Sequence, residues 1–102
     1  MKIAIVDPSR TVRRIVGETV ARWGYSALLF GNGEEALNEL ACNEDVGVLI
    51  TSAELPGCSG LDLCLSARSL AANRPLYIIL MSSFDEREKL LAALENGADD
   101  FI

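Results

Sequence analysis

A doubly wound α/β fold, with a parallel sheet between two layers of helices, is predicted by three features of this chain. Five short apolar runs alternate with stretches of helical periodicity. The connections between them are short, as strand–helix alternation in a parallel sheet requires. The first and third runs are almost continuously apolar, which suits strands covered on both faces. Right-handed crossovers then place helices on both sides of the sheet. At 102 residues, half of them apolar, the chain makes one domain with a real core.

Lys2 to Val6 is the first predicted strand, from its β-branched content. Ser9 caps a helix whose apolar positions Val12, Ile15, Val16, Val20 and Trp23 are spaced for one face, and Gly24 ends it. Tyr25 to Phe30 reads as the second strand and Gly31 to Gly33 as a loop. Glu34 to Cys42 is a helix with Ala36, Leu37, Leu40 and Ala41 inward. Val46 to Thr51 is the most apolar strand and is therefore placed at the centre. Gly60 to Ala72 is a helix using Leu61, Cys64, Leu65 and the aliphatic stem of Arg68 on its core side. Pro75 breaks the chain before the strand Leu76 to Met81. Asp85 caps a fourth helix with Leu90, Leu91 and Leu94 inward, ending at Asn96-Gly97, and Asp100 to Ile102 opens a fifth strand.

Composition narrows the function. A net charge of −6 and a pI near 4.5 exclude nucleic-acid binding as the expected role, since phosphate contacts need clustered cations. There is no histidine, which removes the commonest general base and zinc ligand. The three cysteines, Cys42, Cys58 and Cys64, show no CxxC spacing and read as reduced thiols. No run is long and apolar enough to cross a membrane, and no signal peptide is legible, so a cytoplasmic location is expected. Ligand sites in such sheets lie beyond the carboxyl ends of the strands, where Asp7, Ser52 and Ser82 fall.

Four segments carry a resemblance. Ile5-Val-Asp-Pro-Ser-Arg-Thr-Val-Arg-Arg-Ile-Val16 leads into the first helix. Val46-Gly-Val-Leu-Ile-Thr-Ser-Ala-Glu-Leu-Pro-Gly-Cys-Ser-Gly60 spans the third strand and its loop. Leu80-Met-Ser-Ser83 and Gly97-Ala-Asp-Asp-Phe-Ile102 complete the set. In this order and spacing they resemble the response-regulator receiver family of two-component phosphorelay signalling, including its chemotaxis-type members. The resemblance implies the flavodoxin-like sheet, strand order 2-1-3-4-5. It also implies a further lysine, proline and last helix beyond Ile102. The expectation is therefore a receiver-like domain over 1–102, truncated before that helix and forming the N-terminal part of a longer regulator. The sheet would then expose an apolar patch on the order of a few hundred Å².

The same resemblance assigns positions. Receivers hold Mg²⁺ with two adjacent acids and the phosphoacceptor aspartate; here those positions are Asp7, Pro8 and Ser52. Glu54 matches the residue whose carbonyl completes the metal shell, Ser82 the phosphoryl-bonding hydroxyl, and Phe101 the aromatic switch, without a hydroxyl. Each lost carboxylate forfeits about 1 to 4 kcal/mol of attraction for a unit positive charge before desolvation. Serine is a weak nucleophile without an activating base. Hence no cofactor is expected, with Asp7 at most a weak Mg²⁺ ligand. Asp7 is read in preference as an Asx-turn acceptor for Ser9, and Glu54 as a solvated loop residue. Arg10, Arg13 and Arg14 form a basic cluster open to two readings, partner docking or a solvated helix face.

These residues describe an atypical receiver, a non-enzymatic pseudo-receiver independent of phosphorylation. It would act through protein partners, a sensor kinase or an output domain of the same chain, or as a homodimer. Two alternatives stand beside it. One is a conventional Mg²⁺-dependent receiver altered at the acceptor. The other is a small ligand-binding or enzymatic domain using Asp7, Ser52, Glu54 and Ser82 as a polar strand-end pocket.

Overall fold

The structure, a computed structural model, describes residues 1–81, 91, 94–95 and 97–102. The elements are β1 (Lys2–Val6), α1 (Arg10–Arg22), β2 (Ser26–Phe30), α2 (Gly33–Cys42), β3 (Val46–Ser52), α3 (Gly60–Leu70), β4 (Tyr77–Met81) and β5 (Asp100–Phe101). The sheet is parallel throughout, in the order β2-β1-β3-β4-β5, which is the flavodoxin-like arrangement with β3 at its centre. Ser82, the predicted cap Asp85 and the predicted core position Leu90 lie outside the described residues.

Helices α1, α2 and α3 each begin on a side chain suited to satisfying their free N–H groups. Ser9, Asn32 and Ser59 accept from the backbone of Val12, Glu35 and Asp62 respectively. Gly24 takes a positive φ of 92° just after α1, as the chain turns into β2.

The sheet separates two apolar layers. Ala4, Val6, Leu49, Ile78 and Leu80 point towards α2 and α3 and meet Ala36, Leu40, Leu63, Cys64 and Ala67. Ile3, Ile5 and Ile50 point to the other side and meet Val20 of α1. Alternation along strands buried on both faces makes this division, and each fully buried leucine or isoleucine contributes roughly 1.5 to 3 kcal/mol.

Several predicted core positions face water instead. Ile15 of α1, Trp23 just after it, Ala41 of α2 and Leu65 of α3 are exposed, as are Leu91 and Leu94. In α3 the reason is mechanical. Gly60 abuts the end of β3 so closely that a Cβ there would collide with the Ser52 carbonyl and lie 2.7 Å from the Ala53 Cα. This contact sets the rotation of the helix, and it turns Leu63, Cys64 and Ala67 inward and Leu65 out.

Candidate functional site at the carboxyl ends of the strands

Asp7 follows β1, and its N–H donates to the Phe30 carbonyl at 3.1 Å, which holds the residue in line with the sheet. Its side chain is buried, and Oδ1 accepts from the Ser9 N–H at 2.8 Å, making the expected Asx turn. Pro8, between them, has no N–H to offer. Val6 pairs with Thr51 across β1 and β3, so the next residues, Asp7 and Ser52, stand side by side, about 4.8 Å apart by strand spacing.

Ser52 is turned into its own loop. Its hydroxyl donates to the Glu54 carbonyl and accepts from the Glu54 N–H, each at 3.2 Å. The loop is fixed from both sides: Ala53 N–H donates to Met81, the last residue of β4, and Gly60 N–H donates to Ala53. The Glu54 side chain is exposed and Phe101 lies at the surface of β5, paired with Leu80.

Arg10, Arg13 and Arg14 form one basic cluster in the sequence, but in the structure the three side chains part company. The Arg13 guanidinium folds back over the end of β1, where Nη1 donates to the Asp7 carbonyl at 2.7 Å. Gly31 leaves room for it, since a Cβ there would lie 3.3 Å from Nη1. Arg10 and Arg14 stay exposed, and Arg14 pairs with Glu18 at 3.2 Å. No spacing rule marks Arg13 in advance; the only sequence sign is an arginine in the first turn of a helix that starts just past a strand end.

Mg²⁺ asks for a near-octahedral shell of hard oxygens, largely carboxylate and water. The described strand ends offer one buried carboxylate, already engaged by the Ser9 N–H, with a guanidinium beside it and a serine hydroxyl closed onto its loop. That donor set does not fit the ion. A groove of about 700 Å³ lies to one side, between α2 and the loop after β3, lined by Asn32, Glu34, Leu37, Pro56, Cys58 and Asp62 among others. Asp7, Ser52 and Glu54 do not line it.

Known proteins match this geometry over its whole length. The family model for the response regulator receiver domain matches residues 3–102. Chemotaxis protein CheY1 of Helicobacter pylori is 36% identical over 103 aligned residues, covering all of this chain and 83% of that protein. A CheY homolog of Campylobacter jejuni is 35% identical, again over the whole chain and 79% of its own length. Among solved structures, a BeF3-activated DrrB receiver domain superposes with a TM-score of 0.85 at 28% identity, covering 99% of this chain and 81% of that one. Sequence and topology agree, and the chain belongs to the response regulator receiver domain family of two-component signalling.

Proposed function

We propose that this receiver works without phosphoryl transfer and without Mg²⁺, as a protein-interaction module. It acts in the cytoplasm as one receiver unit over residues 1–102, docking a sensor kinase or an output domain of its own chain, or a second copy of itself. The observation that carries this reading is the closed bonding of Ser52. The hydroxyl at the acceptor position is satisfied by Glu54, and the neighbouring groups are an Asx-turned aspartate, a proline and a guanidinium-capped carbonyl. Such an arrangement holds the loop without a metal and offers no activated nucleophile. The exposed Arg10 and Arg14 on the first turns of α1 are the proposed docking residues, and Phe101 and Ser82 are the positions where a switch would be read.

The DrrB receiver is described as BeF3-activated, and the same reagent discriminates here. Beryllofluoride needs a carboxylate to bind. Adding it with Mg²⁺ to the isotope-labelled protein should leave the amide signals of Asp7, Ser52 and Ala53 unmoved. A saturable shift centred on these residues would show an acceptor site in working order and defeat the proposal.

A further inference from the structure

β2 is an edge strand, and it is unguarded. From Trp23 to Asn32 the chain carries no charge and no proline, although about a quarter of all residues are charged. Edge strands in monomeric proteins are usually blunted by lysine, proline or a bulge. Here Trp23, Tyr25 and Leu29 are instead large and exposed, Leu29 at 47%.

We propose that a second copy of this chain adds to the β2 edge, antiparallel, joining the two sheets into one through a two-fold axis at Leu28. The proposal rests on the dimer reading above and names its surface. The backbone polarity fits. Phe30 turns its carbonyl inward to the Asp7 N–H, so by strand alternation Ala27 and Leu29 turn their backbone groups outward. Centred on Leu28, an antiparallel partner sets Ala27 of one copy opposite Leu29 of the other, twice. Each such pair can exchange both N–H···O bonds.

The charge above the edge fits the same axis. Gly17 of α1 sits over Ala27 and Leu29, a Cβ there lying 3.2 Å from a Leu29 methyl. Arg14 and Ala21, three residues before Gly17 and four after it, and Glu18, one turn beyond Arg14, share the flank that overhangs β2. The two-fold runs α1 antiparallel to its copy at the level of Gly17. Arg14 then faces Glu18 of the second copy and Glu18 faces Arg14, so the charges are complementary across the axis. The neutral edge beneath adds no like-charge contact.

Sedimentation velocity across micromolar to near-millimolar concentrations tests this, with circular dichroism to confirm folding. The wild-type chain should be a dimer. Leu29→Lys, which restores a gatekeeper at the edge, should make it a monomer. Arg14→Glu should weaken association by about tenfold, and adding Glu18→Arg should recover it. Amide exchange at Ala27 and Leu29 should slow as concentration rises. A wild-type monomer at all concentrations would overturn both the edge and the dimer reading. A dimer indifferent to Leu29→Lys and to Arg14→Glu would overturn the edge alone and leave dimerisation to another surface.

Discussion

Ser52 and Asp7 are neighbours, and each is already bonded nearby, Ser52 to the Glu54 backbone and Asp7 to the Ser9 N–H. Restoring one residue should therefore be insufficient. Ser52→Asp places a carboxylate beside Asp7, but Pro8 still stands where the second acid would be, and Arg13 still caps the β1 end. Calorimetric titration of Ser52→Asp with Mg²⁺ should show no saturable binding at millimolar ion, whereas Pro8→Asp with Ser52→Asp should bind measurably better. A second residue-scale expectation concerns Cys64. Burial pushes its thiol up to about 11, with the Arg68 guanidinium opposing and Asp99 adding to the shift. The folded pKa lies above the ordinary thiol value of 9.0, so the neutral thiol is the form the fold favours. Its stabilising contribution is complete below that value and is lost as pH rises through about 11. At neutral pH a thiol-reactive dye should modify the exposed Cys42 at once and Cys64 only after denaturant is added.

At the scale of the element, close contacts decide more than propensity does. Gly60→Ala forces a methyl into the Ser52 carbonyl and should destabilise the protein by about 1 to 3 kcal/mol, read as a lower urea midpoint. Ser9→Ala removes the α1 cap and should cost about 1 kcal/mol in the same assay. The strands were legible because continuous apolar runs survive any detail of packing; β1 runs over the predicted residues and β3 adds only Ser52. Helix orientation was less legible. A stripe of apolar residues defines a face some 100° wide, but Ile15 and Leu65 sit at its margins and Trp23 lies past the end of α1; all three face water, and in α3 a contact elsewhere turns Leu65 outward. For α3 that contact is Gly60 on β3, two segments that are eight residues apart in the chain. The Asx turn at Asp7 was readable because it is local. The Arg13 contact was not, because it depends on how α1 leaves the sheet.

For the whole molecule, Arg68 does what its aliphatic stem alone does not suggest. From α3 its guanidinium bonds the Leu76 carbonyl ahead of β4 at 2.8 Å and the Gly97 carbonyl at 3.0 Å, and it pairs with Asp99. Asp99 in turn accepts from the Ile78 N–H at 2.8 Å. One side chain thus ties α3 to the amino ends of β4 and β5. Arg68→Ala should lower unfolding free energy by about 2 kcal/mol and speed amide exchange at Ile78, while Arg68→Lys restores only part. This bracing lies at the far end of the sheet from Ser52. The central claim is the proposed absence of phosphoryl transfer, and intact mass spectrometry tests it most directly. After incubation with acetyl phosphate and Mg²⁺ the protein should show no added phosphate. A single phosphate, mapped to Ser52 or to a residue beside Asp7, would contradict it.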